Sequence, residues 1–321
     1  MIRFLVRRLI LLLLSAFAAA SICFFFLRIL PGDAALNLTG MEASDEQIAH
    51  ARAVLGIDKP LIVQYGVWVS GILHGDFGCS YLTKLPVGAE IVRRLPVTLP
   101  LSFFAFIIAS AVSVPLGILA AVKRKNAVGI GISAVSAVGV AVPSFWIGII
   151  LVWIAALRFR IFPAGGFPRE GWADPVAALR SLALPVITVS TVMTAGLIRY
   201  VRSVAIDVFS QDYIRTARSL GYTAFRARIR HGLRNMAVPL LTVLGIEFTS
   251  SLLGAVVIEN VFALPGLGSF LLQGVRSRDF PVVQNVIFLI TLFVLVVGFC
   301  IDVLQRVIDP LIGRREANDE N

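Results

Sequence analysis

Runs of mainly apolar residues punctuate this chain, several of them at or above the roughly 20 residues an α-helix needs to cross about 30 Å of hydrocarbon. Six occur, at Leu9–Leu30, Leu99–Val122, Val128–Leu157, Leu182–Val201, Val238–Phe262 and Val282–Leu304. Each predicts a spanning helix, which makes the expected fold class an all-α membrane protein with six transmembrane helices. The third run is long and holds Pro143, so a kink or break is expected there. Pro115 and Pro185 fall inside the second and fourth runs, where neighbouring helices can satisfy the freed backbone groups.

Between the first two runs the pattern turns polar. Ser44, with Gln47 three residues on, fits a capping box; Ile48, Ala51 and Leu55 follow, and Gly56 ends the helix. Pro60 opens a second amphipathic helix carrying Leu61, Tyr65, Trp68 and Ile72, with its end near His74 and Gly75. This stretch has too little core for an independent enzyme domain and reads as an elaborated loop. The chain therefore divides into a cytoplasmic end with the first span (1–30), an extracytoplasmic loop (31–96), a five-helix core (97–304) that includes a cytoplasmic loop (199–236), and a cytoplasmic tail (305–321).

Composition agrees with the membrane reading. Hydrophobic residues make up 58% and charged residues 15%, against about a quarter charged in an ordinary soluble domain. A net charge of +10 would suit nucleic acid if the arginines lined one soluble face, but they lie at the ends of apolar runs, so no nucleic-acid partner is implied. Arg3, Arg7, Arg8, the Lys123-Arg124-Lys125 loop, the arginines of 199–236 and Arg306, Arg314 and Arg315 together hold 17 of the 29 basic residues. The positive-inside rule puts these segments, and both termini, in the cytoplasm. Arg7 and Arg8 before a leucine run resemble a secretory signal. The apolar stretch continues to Leu30, however, which favours a retained anchor. Cys23 and Cys300 fall inside spans and Cys79 is alone outside, so no disulfide framework is expected.

The chemistry is sparse. No phosphate loop of the G-x-x-x-x-G-K-[ST] type occurs, nor H-E-x-x-H, nor G-x-S-x-G, and the histidines are His50, His74 and His231. Gly129, Gly131 and Ala134 have the spacing of a dinucleotide fingerprint, but inside a span with no preceding strand. The chain is thus read as non-enzymatic, with no catalytic residue, metal ligand or cofactor of its own. Glu247, Glu259 and Asp302 lie within or near spans, where an ionisable group usually faces a bundle interior or wet cavity. Glu247 is the leading candidate for lining a substrate path, with Thr191 and Thr194; hydrogen bonds to Ser250, Ser251 or backbone carbonyls are the plain alternative. Asp302 is placed to pair with Arg306 at i+4. Gly129, Ser133, Ala137 and Ala141 recur every four residues, a close-packing face within the chain or against another subunit. A proton-coupled carrier or a channel is the rival class, weakly supported by one convincing buried acid.

The stretch from Arg199 to Met236 carries eight arginines against Asp207 and Asp212. Within it, Asp212-Tyr213-Ile214-Arg215-Thr216-Ala217-Arg218-Ser219-Leu220-Gly221 is followed by His231-Gly232-Leu233-Arg234-Asn235 and Pro239. This resembles the EAA loop of ABC importer permeases, whose pattern is E-A-A, three residues, Gly, nine residues, I-x-L-P. Ala217, Gly221 and Leu233 match; Arg215 and Thr216 replace the first two residues, His231 the Ile and Arg234 the Pro. Those departures are similar to the variant of the dipeptide/oligopeptide/nickel permeases. Further pieces in the same order include Leu30-Pro31-Gly32-Asp33, Gly75-Asp76-Phe77-Gly78, Val142-Pro143-Ser144-Phe145-Trp146, Pro265-Gly266-Leu267-Gly268, Arg278-Asp279-Phe280-Pro281 and Asp309-Pro310.

The resemblance implies a type I ABC importer permease fold in a bacterial cytoplasmic (inner) membrane. It also implies one half of a pore completed by a second homologous permease, two ABC ATPase subunits that bind ATP and Mg, and an extracytoplasmic solute-binding protein. Short peptides are the implied cargo, with nickel or a metal chelate as alternative. Asp212, Arg215, Ala217, Gly221, His231, Leu233 and Arg234 become the ATPase-coupling residues, on a helix expected around Tyr213–Tyr222. Ala217 and Gly221, four apart, would then share a face and permit close approach. A solvated basic loop resting on anionic membrane lipid is the plainer alternative.

Overall fold

A computed structural model describes residues 2–29, 34–39 and 43–308 of the chain. The Leu30–Asp33 motif, Asp309-Pro310 and the tail arginines Arg314 and Arg315 lie outside the described residues. The helices are α1 (Ile2–Ile29), α2 (Ala34–Thr39), α3 (Asp45–Leu55), α4 (Leu61–Leu73), α5 (Val87–Val122), α6 (Ala127–Ala141) and α7 (Ser144–Leu151). A π-helical turn (Val152–Arg158) extends α7. Then come α8 (Pro175–Phe209), α9 (Asp212–Ser219), α10 (Ala224–Ala227), a second π-helical segment (Arg228–Leu233), α11 (Arg234–Val261), α12 (Leu267–Ser277) and α13 (Phe280–Ile308).

Among the described residues, five uninterrupted helices are long and apolar enough to cross a membrane: α1, α5, α8, the α10–α11 rod and α13. The sixth expected span is a broken pair, with α6 and the α7 rod bent by 95°. The cause is local. Pro143 lacks the N–H that a continuing helix needs, and its ring drives the preceding Val142 into extended backbone, φ −84° and ψ 126°. Pro185 and Pro239 remain inside α8 and α11.

Two compact units emerge. The first comprises Met1–Leu99 and Ala263–Val296. Its α3 starts with the expected capping box: Ser44 Oγ accepts from the Gln47 amide at 3.3 Å and the Gln47 side chain accepts from the Ser44 amide at 3.0 Å. Gly56 ends α3 in the left-handed region. α4 turns Trp68 onto Phe24 of α1, ring centroids 5.5 Å apart. The Trp68 indole donates to Asn285 Oδ1 at 2.9 Å, and the buried Asn285 amide nitrogen donates to the Phe77 and Pro281 carbonyls at 2.7 and 2.8 Å. Buried Asp279 similarly accepts from the Ser80 hydroxyl and the Tyr81 amide at 2.5 and 3.0 Å. The polar stretch before α5 is thus stapled to the start of α13 by hydrogen bonds whose loss would strand buried groups.

The second unit comprises Pro100–Phe262 and Val297–Asn321. Its helices approach closely through small residues, as lipid-embedded packing favours. Ser136 Oγ donates to the Ala195 carbonyl at 2.5 Å, a Cβ on Gly139 would sit 2.7 Å from the Ala195 methyl, and one on Gly245 would collide with Ile301. Of the four-residue repeat on α6, Gly129 is buried but Ala137 and Ala141 are exposed. The α6–α8 contact therefore runs along Ser136 and Gly139, a different phase of the helix.

Candidate functional site

The basic loop folds on a core of its own. α9 turns Ile214 and Ala217 inward, where they meet Ala227 and Tyr222. Its C-terminus is a Schellman motif. The Tyr222 amide donates to the Ala217 carbonyl at 3.2 Å and the Gly221 amide to the Arg218 carbonyl at 3.0 Å, with Gly221 at φ +92° between them. Tyr222 also packs against the cluster of Ile214, Ala217 and Ala227, in keeping with the apolar contact that accompanies this cap.

This corrects the expected Tyr213–Tyr222 helix. The helix stops at Ser219, and Gly221 lies beyond it. Ala217 and Gly221 therefore do not share a helical face. Their spacing of four joins the third-last helical residue to the left-handed position that follows the cap, and glycine is favoured there because it has no Cβ to clash.

The other motif residues surround this core. His231 meets the Tyr222 ring edge-on at 5.7 Å, and the Arg230 guanidinium lies 5.8 Å from the same ring's centroid. Leu233 ends the π-helical segment and Arg234 begins α11, both exposed. Arg215 and Asp212 pair at 3.4 Å but are both largely solvent-exposed, so water screens the pair. Partial burial pushes the Tyr213 phenol above its ordinary range while Asn235 opposes that shift, so it is neutral at physiological pH.

Three residues escaped the sequence reasoning. A Cβ on Gly232 would approach the Phe209 ring to 2.6 Å, so only glycine lets the π-helical segment lie against the end of α8. Leu220 and Phe225 are 75% and 71% exposed, two large apolar side chains beside the exposed Arg218 and Arg226. Apolar centres rimmed by arginine are the composition of docking surfaces. Their only sequence signal is two bulky hydrophobes in an otherwise polar segment.

A cavity of about 320 Å³ lies between α8 and α11. On α8 its wall is the stripe Val189, Val192, Met193, Gly196, Arg199 and Tyr200, one face at helical period. Glu247 of α11 lines the opposite wall with Ser250, Ser251 and Gly254. Glu247 makes no hydrogen bond or ion pair with any described residue, and the Ser251 hydroxyl donates instead to the Phe248 carbonyl at 2.6 Å. Thr191 and Thr194 lie off this stripe. Thr191 is exposed, with its hydroxyl on the Ile187 carbonyl at 2.7 Å, so neither threonine shares the cavity with Glu247.

Residues 113–314 match the family described as binding-protein-dependent transport system inner membrane component, and residues 1–102 match its N-terminal counterpart. A putative peptide transport system permease protein of Brucella suis biovar 1 is 38% identical over 293 residues, covering 91% of this chain and 93% of that protein. The dipeptide transport system permease protein DppB of Escherichia coli K12 is 34% identical over 344 residues, covering 98% and 100%. Among solved structures, an inward-facing MetNI methionine ABC transporter superposes with a TM-score of 0.57 at 16% identity, over 68% of this chain and 96% of that chain. The fold is shared with that transporter.

Proposed function

This chain belongs to the binding-protein-dependent transport inner membrane component family, and on that premise we propose that it is a permease subunit of an ATP-driven importer of short peptides. It crosses the bacterial inner membrane several times, with the bent α6–α7 pair as one span and the basic loop and both termini on the cytoplasmic side. With a second homologous permease it encloses the pore. Two ABC ATPase subunits bind and hydrolyse ATP with Mg, and an extracytoplasmic solute-binding protein delivers the cargo. The curated relatives are named for peptide and dipeptide transport, which favours peptide over nickel or a metal chelate.

The carrying observation is the loop surface. Leu220 and Phe225 stand out from a self-packed element that is continuous with two spans. Their burial in an ATPase cleft supplies affinity, and the surrounding arginines supply orientation. ATP-driven closure of the ATPases then displaces α9, and α8 and α11 follow.

The test is co-purification and uptake with the whole complex. Leu220→Asp combined with Phe225→Asp buries two charges in the cleft, so the ATPases dissociate and ATP-dependent peptide uptake is abolished while the permease pair still inserts. Normal uptake by this double variant would refute the coupling assignment. Uptake that needs no ATPase would instead establish a carrier.

A further inference from the structure

The α8–α11 cavity holds opposite charges that do not meet. Glu247 on α11 and Arg199 on α8 both line it, yet no ion pair joins them. Arg199 touches the Tyr200 ring, 5.6 Å from its centroid, and has no carboxylate partner among the described residues. A half-buried carboxylate without a partner costs free energy that an incoming cation recovers.

The two groups are also offset. A Cβ on Gly196 would lie 3.8 Å from the Glu247 carboxylate, and Arg199 is three residues further along α8, about 4.5 Å of helix rise. Gly196 and Gly254 present no side chain to the space between the walls.

We propose that this cavity is a subsite for zwitterions on the translocation path. Glu247 takes the ammonium group of a short peptide and Arg199 takes its carboxylate. The inference rests on the peptide-importer reading and adds to it a pore that recognises both termini, so that selection does not end at the binding protein. Peptides blocked at either end lose one of the two contacts and pass poorly.

Two measurements on the reconstituted complex test it. Glu247→Gln and Arg199→Gln should each lower ATP-driven uptake of alanyl-alanine about tenfold, the equivalent of one charge-assisted contact, with ATPase co-purification unchanged. Independently, Ser250→Cys in a chain with Cys23, Cys79 and Cys300 replaced by Ser reports the cavity's charge. A trimethylammonium thiosulfonate should label it about tenfold faster than a sulfonate-bearing one. Glu247→Gln should abolish that preference, and alanyl-alanine should slow the labelling. A preference that survives Glu247→Gln overturns the subsite, as does a lack of protection by a peptide that the wild-type complex imports. If the wild-type complex imports no peptide, the importer reading falls instead, and the labelling preference still decides whether the cavity selects cations at Glu247.

Discussion

Replacing Gly221 separates two explanations of the Ala217–Gly221 spacing in the proposed coupling loop. A steric account, in which the partner needs a small residue here, ranks substitutions by size: Gly tolerated best, then Ala, then Asn. The Schellman cap ranks them by tolerance of positive φ. Gly221 sits at φ +92°, and a Cβ there would meet nothing within 4 Å in the chain itself. Its cost is therefore conformational. A non-glycine residue in the left-handed region loses about 1–2 kcal/mol, a shift of about 5- to 30-fold in a local equilibrium. Asn visits that region several-fold more readily than other side chains. The expected order is Gly, then Asn, then Ala, with Val worst. Two assays read it. Hydrogen exchange at the Gly221 and Tyr222 amides, which close the cap on the Arg218 and Ala217 carbonyls, reports the cap directly. Peptide-stimulated ATPase activity of the complex reports coupling, because an open cap lets Leu220 and Phe225 drift apart. If Gly221→Ala outperforms Gly221→Asn in both, the cap reading is wrong and a tight partner contact is right.

Two further substitutions probe the supports of each unit. Gly232→Ala drives a methyl into the Phe209 ring and should destabilise the complex by about 1–3 kcal/mol. Adding Phe209→Leu should recover part of that loss, and strictly additive losses would show that the two positions do not press on each other. Asn285→Leu strands the Trp68 indole N–H and the Phe77 carbonyl, each costing about 1–3 kcal/mol. A marked fall in the thermal unfolding midpoint is expected, and an unchanged midpoint would mean that water satisfies both groups.

Features written in neighbouring residues were legible from the sequence. The Ser44–Gln47 capping box and the break at Pro143 each follow from a few adjacent side chains, and the structure has both. The Ala217–Gly221 relation was also local but was misread, because a spacing of four fits a helical face and a helix end equally well. A glycine following a basic last turn is the signal that favours the end. The α8 cavity stripe was half legible. Glu247 stood out as an intramembrane acid, but choosing its neighbours required the rotational phase of α8, and Thr191 and Thr194 lie off that phase. The Trp68–Asn285 bond joins residues 217 apart, and nothing in either neighbourhood announces it. The Phe209–Gly232 contact fails for the same reason on a smaller scale.

The way the loop is strung between its spans explains why glycine falls where it does. On one side, Ser210 and Gln211 alone separate α8 from α9. On the other, α10 passes through the π-helical segment into α11 without leaving helical conformation. Both junctions are short, so on the proposed coupling role a push on α9 is passed on to α8 and α11. The longest non-helical stretch of the loop is Leu220–Thr223, between α9 and α10. Both its ends are pinned: the Schellman bonds close the α9 side, and on the α10 side the Thr223 hydroxyl accepts from the Arg226 amide at 3.3 Å. The stretch also carries Leu220, with Phe225 just beyond, so any give in it would be spent moving the proposed docking residues relative to the helices on either side. A left-handed residue is the shortest way to reverse the chain there while keeping its carbonyls bonded. Gly221 thus stiffens the loop, and on the proposed coupling role its value to an ATPase partner would lie in stiffness rather than contact.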